Sequence, residues 1–271
     1  MLKGNRKWLL FLACAALSVP ATAGDLTLGG EGYTFTLRDT DNSTGPPYKP
    51  LDLSGLGWRA RASLTWGGGA QRISLVVQRT RDDVHESWRY RYSSYEYLAD
   101  TRLAFVSVDA RYEPRVSASE RFELRAQTGY RFAHGAQTVR RSSRCLTCPA
   151  PSDWSLDQDR LTGHGIRAGL AGDLRLAGPL HLENEAGLSL LAATGTEVDA
   201  HGYEHRPPYS STRERRRGSA TWDLSVRLRA EWKGVSVSVG YRFDRWTPVR
   251  WLGSDLGTDG FTFGLGLRFG L

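Results

Sequence analysis

From residue 24 onward the chain alternates apolar and polar side chains with a period of two. Leu56, Trp58, Ala60, Ala62, Leu64 and Trp66 are interleaved with Arg59, Arg61, Ser63 and Thr65. The same alternation fills 122–132, 180–192, 222–232, 235–243 and 261–269, with weaker copies near 26–38, 71–82, 102–113 and 160–174. Successive side chains of a strand point to opposite faces, so each segment predicts a strand with one apolar and one polar face. There are ten such segments, each near the ~9–11 residues that a tilted strand needs to cross a bilayer. Nine Trp, eleven Tyr, nine Phe and thirty Gly suit an all-β chain with many tight turns.

Composition narrows the field. At 40% hydrophobic residues the chain is neither disordered nor collagen-like. The N-terminus reads as an export signal. Lys3, Arg6 and Lys7 precede an apolar run from Trp8 to Val19, then Pro20 and the small residues Ala21-Thr22-Ala23. That run of 12 is too short to span a bilayer as a helix, and no later stretch approaches ~18 apolar residues. Residues 1–23 are therefore expected to be a cleaved signal peptide and 24–271 a single β domain. The remaining 33 basic and 29 acidic residues leave a net charge of +4, and nucleic acid is not an expected partner.

Alternation alone does not separate a membrane barrel from a soluble sandwich, since both have one apolar face. The connections do. Those at 67–69, 113–119, 175–179 and 233–234 are short, whereas the intervening links near 39–54, 83–101, 134–160, 194–219 and 247–259 are long. Short turns on one side, long loops on the other and an even strand number predict a closed antiparallel transmembrane β-barrel in a bacterial outer membrane. The polar face then lines the lumen with Arg59, Arg61, Asp109, Arg111, Glu185 and Arg227 among others. Long charged side chains crowd so narrow a space and argue against a solute channel.

Several motifs resemble the omptin family, ten-stranded outer-membrane endopeptidases with a site at the external mouth. Ser54-Gly55-Leu56-Gly57-Trp58 resembles the Ser-x-Leu-x-Trp of the family's second strand, and Asp100-Thr101-Arg102-Leu103 the Asp-Thr-x-Leu of its fourth. Gly129-Tyr130 fits its fifth strand. Glu197-Val198-Asp199-Ala200-His201 resembles the acidic-x-Asp-x-His segment of its seventh. The spacing supports this last match on its own terms. Residues two apart share a strand face, so Glu197, Asp199 and His201 are expected to face the lumen, with Asp199 orienting the imidazole as a base.

The resemblance implies a hydrolase that attacks with an activated water and cuts beside basic residues of peptides. It assigns catalysis to Asp199 and His201 together with Asp82 and Asp83, and substrate binding to Glu197 and Glu31. The family's Asp-x-Asp pair is not reproduced in Arg81-Asp82-Asp83-Val84-His85-Glu86-Ser87-Trp88. Either Asp82 and Asp83 sit in an irregular segment that lets both reach the water, or half of the site is missing. Anchoring on Trp88 instead puts His85 and Ser87 at the aspartate positions. Glu31 follows Gly29-Gly30, a plausible bulge.

The family also implies lipopolysaccharide as an activating lipid, with Tyr130 and Arg160 near positions of its site. Basic clusters at 140–144 and 213–217 fall in the expected external loops. Cys145 and Cys148 are expected to form a local disulfide, since the compartment is oxidising and zinc would need two further ligands. No metal or other cofactor is expected. The alternative function is a non-catalytic barrel serving adhesion or envelope structure.

Overall fold

A computed structural model describes residues 24–38, 52–89, 95–147, 153–203, 206–247 and 256–271. The segment 1–23, read as a signal peptide, lies outside the described residues, as does Cys148. The strands are β1 (Asp25–Arg38), β2 (Asp52–Trp66), β3 (Gln71–Arg89), β4 (Tyr95–Tyr112), β5 (Arg115–Ala118), β6 (Phe122–Cys145), β7 (Asp153–Ala177), β8 (Leu180–Tyr203), β9 (Arg206–Trp232), β10 (Val235–Thr247) and β11 (Leu256–Gly270). Every pairing is antiparallel. β1 bonds to both β2 and β11, and β4 bonds to β6, so the sheet closes on itself. The four-residue β5 pairs only with the foot of β6, which leaves ten staves in the wall. This is the closed antiparallel barrel that the alternation predicts.

Two expectations need correction. Much of what reads as long loop is strand. β3 and β4 reach Arg89 and Tyr95, β6 and β7 reach Cys145 and Asp153, and β8 and β9 reach Tyr203 and Arg206. The apolar side of the alternation fades there because these strand ends stand above the lipid, while the backbone ladder continues without it. Second, Gly29-Gly30 is not a bulge. β1 stays in unbroken register with β2 from Asp25 to Arg38 and with β11 as far as Tyr33.

At the opposite end the connections are tight. Lys233 and Gly234 have φ of 49° and 80°, the pair of positive angles that a two-residue type I′ hairpin requires. Such short turns mark the periplasmic end of outer-membrane barrels. The outward face carries a belt of Leu, Val and aromatic side chains. Leu56 is 76% exposed, Phe263 66% and Ile166 65%. A belt this large suits lipid rather than water.

The lumen is filled by ion pairs. Glu185 accepts from Arg111, from Arg59 at 3.2 Å, from Arg167 at 3.4 Å and from Arg61 at 3.5 Å. Asp109 accepts from Arg111 and Arg131, each at 2.7 Å, and Asp223 accepts from Arg167 at 2.7 Å. Gly187 makes the packing possible, since a Cβ there would sit 2.2 Å from the Arg167 guanidinium. A polar cavity of about 350 Å³ at the short-turn end reaches Glu185, but Asp109, Arg131 and Asp223 do not line it. The network closes the lumen above the cavity.

Candidate functional site at the long-hairpin mouth

The hydrogen-bonded register turns the inner wall into rows of facing side chains. One row runs Asp82, Leu103, Gln137, Asp159, Glu197 and Arg213, across β3, β4, β6, β7, β8 and β9. The next toward the mouth includes Thr101, Val139, Asp157, Asp199 and Ser211, and the one beyond it Ala99, Arg141, Ser155, His201 and Tyr209. Directly opposed residues of one face lie with Cβ atoms about 4.5–5.5 Å apart. Asp157, Asp159, Glu197 and Asp199 therefore form a block of four carboxylates on two neighbouring strands.

β8 carries the expected triplet. It holds its register from His181 to His201 without a break, so Glu197, Asp199 and His201 share the inner face. Glu197 pairs with Arg215 on β9 at 3.5 Å. His201 is exposed, with its ring centroid 5.0 Å from that of Tyr209. Among the described residues no hydrogen bond joins His201 to Asp199, so the orienting role expected of Asp199 is not made in this state. Catalytic hydrogen bonds often tighten only when substrate is present.

The facing wall is simpler than expected. β3 is regular through Asp82 and Asp83, opposite Leu103 and Arg102, which removes the irregular-segment alternative. Asp82 points in, among the row just described, and its Oδ2 is buried without a hydrogen-bond partner. Asp83 points out and pairs with Arg81 at 3.2 Å and Arg102 at 3.6 Å. His85 and Ser87 are exposed on that same outer side, and His85 bonds to Asp100. Glu31 does not reach the mouth. It is buried in the lumen network, 2.8 Å from Arg227 and 4.0 Å from Arg59. The structure thus brings together Asp199, His201 and Glu197 on one wall and sets Asp82 at the far end of a shared row, while Asp83 and Glu31 stand apart.

Two residues of the block, Asp157 and Asp159, escape the sequence reading because 134–160 reads as a loop. The signal was their spacing by two, in phase with Asp153 and Ser155. Asp157 is held by Arg141. Asp159 is different. Burial, then the charges of Glu197, Asp157 and Asp199, push its carboxyl up to about 7. Between Ile166 and the level of Asp159 the outer face of β7 carries the exposed His164, Thr162 and Arg160, so Asp159 stands above the lipid.

No protein-family model matches the chain, and no curated protein sequence does. Among solved structures it is similar to the outer membrane protease OmpT of Escherichia coli, at 11% identity over 93% of this chain and 98% of that one, with a TM-score of 0.52. It also aligns with Ail, the attachment invasion locus protein of Yersinia pestis, at 12% identity over 92% and 99%, TM-score 0.37. The fold is that of an outer-membrane β-barrel. At such identity the likeness extends to architecture alone.

On the outside of this outer-membrane barrel the two lipid-site candidates do not meet. Tyr130 bonds through its hydroxyl to His164 at 2.5 Å, and its register partner is Ile166. Arg160 is exposed opposite Ala136, six residues along β6 from Tyr130, or ~20 Å at 3.3 Å per residue. His134, bonded to Thr162 at 3.0 Å, stands between them. Cys145, at the end of β6, is disulfide-bonded.

Proposed function

We propose that the protein is an omptin-like surface endopeptidase of the outer membrane, exported by its first 23 residues and cutting basic peptides with an activated water. The observation that carries this reading is the inner-wall placement of Glu197, Asp199 and His201, with Asp82 on the row that leads to them. His201 takes the proton of the attacking water, Asp199 and Asp82 bind that water, and Glu197 pairs with a basic side chain of the peptide. Asp83 and Glu31 take no part. Anionic lipopolysaccharide in the outer leaflet meets His134, His164 and Arg160 on the outer face, and it is the expected lipid partner.

The second reading is a non-catalytic barrel, and the outward Asp83 favours it because one carboxylate of the expected Asp82–Asp83 pair faces away from the water. Cleavage of a fluorogenic peptide with paired arginines, by purified protein supplied with lipopolysaccharide, separates the two. Wild type cuts it, and His201→Ala lowers kcat by ~10²-fold or more, the typical worth of a positioned base. Asp82→Ala is similarly impaired, and Asp83→Ala cuts like wild type. A wild type that leaves the peptide intact establishes the non-catalytic reading.

A further inference from the structure

We propose that Asp159 is a catalytic residue of this site, the donor of a proton to the departing amine, standing in for the carboxylate that β3 turns outward at Asp83. The proposal rests on the hydrolase reading above and names a residue which that reading does not use.

Four observations lead to it. First, of the adjacent pair Asp82 and Asp83 only Asp82 faces in, where a water-holding pair would need both. Second, β7 and β8 supply others directly opposed, Asp157 with Asp199 and Asp159 with Glu197. Third, these four are unequal. Arg141 holds Asp157 and Arg215 holds Glu197, while among the described residues no ion pair reaches Asp159 or Asp199.

Fourth, Gln137 is 6% exposed, its Oε1 is buried without a hydrogen-bond partner, and its register partner on the same face is Asp159. A carbonyl oxygen beside a carboxylate has nothing to accept. Beside a carboxylic acid it accepts the acid's O–H, so Gln137 completes its bonding when Asp159 carries a proton. The groups that face Asp159 agree: Asp157 on its own strand, Glu197 and Asp199 on β8, Arg141 on β6, and Arg213 and Arg215 on β9. Of these arginines, Arg141 is engaged by Asp157 and Arg215 by Glu197. The carboxyl, pushed up to about 7, is protonated in a large fraction of molecules at neutral pH. Paired carboxyls whose environments separate their proton affinities are a recurrent acid and base arrangement.

The step balances with water as the only co-reactant. The water oxygen bonds to the scissile carbonyl carbon, the π electrons move to the carbonyl oxygen, and the water proton passes to the imidazole of His201. As the intermediate collapses the C–N bond breaks and its electron pair goes to nitrogen, which takes the proton of Asp159. His201 then returns a proton through solvent to the Asp159 carboxylate. One amide and one water give one acid and one amine.

The test is kcat and KM against pH for the same paired-arginine peptide, with wild type, Asp159→Asn and Asp159→Glu, each first shown to be folded by its heat-shifted gel band. The proton is present below the raised value and lost above it, so wild-type kcat falls as pH rises through about 7. Asp159→Asn is expected to lose ~10²-fold in kcat with KM changed less than about twofold, and to lose that alkaline fall. Asp159→Glu restores both in part. A kcat within about twofold of wild type in Asp159→Asn, with the alkaline fall in place, overturns the proposal and leaves the hydrolase reading standing. So does a loss confined to KM, which makes Asp159 a subsite for the basic side chain. A wild type that cuts nothing overturns both.

Discussion

Glu185 is the residue on which the lumen depends most. Its carboxylate is buried and meets four guanidinium groups, two from β2 and one each from β4 and the neighbouring β7, so removing it leaves several positive charges facing each other out of water. Glu185→Ala is expected to cost ~3–5 kcal/mol, the usual penalty for stranding a buried partner. The check is a lower midpoint for loss of the heat-resistant folded band. At this scale the inward or outward facing of most charged residues was legible, because parity along a regular strand decides it. Asp82 in and Asp83 out follow from Ile73, Leu75 and Val77 lying on the outer side. The ion partners were not legible. Arg59 and Glu185 are 126 residues apart, and only closure of the barrel brings them together.

Among the elements, β8 shows how tightly wall and filling are matched. Gly187 faces in, and the Arg167 side chain occupies the volume a Cβ would need. Gly187→Ala is expected to destabilise by ~1–3 kcal/mol, as overpacking does. Gly218→Ala on β9, where no heavy atom lies within 4 Å of an added Cβ, should stay within ~0.5 kcal/mol. Denaturant midpoints of the two variants in one detergent make the comparison. The ten staves were legible because lipid on one side and charge on the other impose a strict period. Their outer ends were not. Toward the ends of β6 and β7, beyond His134 and Arg160, polar and charged residues stand on both faces, so no apolar period survives to mark the strands. Asp157 and Asp159 were lost with them, although their partners Asp199 and Glu197 were found.

The molecule as a whole combines an apolar belt with a lumen closed by ion pairs. It should therefore run as a heat-modifiable band, recovered with membranes and released by detergent. In planar bilayers it should pass no steady ionic current at neutral pH, because Asp109, Arg131, Arg167 and Asp223 close the space above the polar cavity. Detergent-free recovery of folded protein would contradict the first expectation, and open-channel steps in wild type the second.

The seam between β1 and β11 has a consequence for assembly. Its register runs only from Asp25 opposite Gly270 to Tyr33 opposite Thr262, and it sets Gly29 against Gly266, Gly30 against Leu265 and Glu31 against Gly264. Leu26 opposite Phe269, Leu28 opposite Leu267 and the Asp25–Arg268 ion pair at 2.6 Å support its short-turn end, but along the glycines above them backbone hydrogen bonds hold it nearly alone. The staves it joins are the first and last made, so the long β6–β9 hairpins can pair as local neighbours well before it forms. The barrel closes like a laced cylinder, with the knot tied last and, under load, the first to slip.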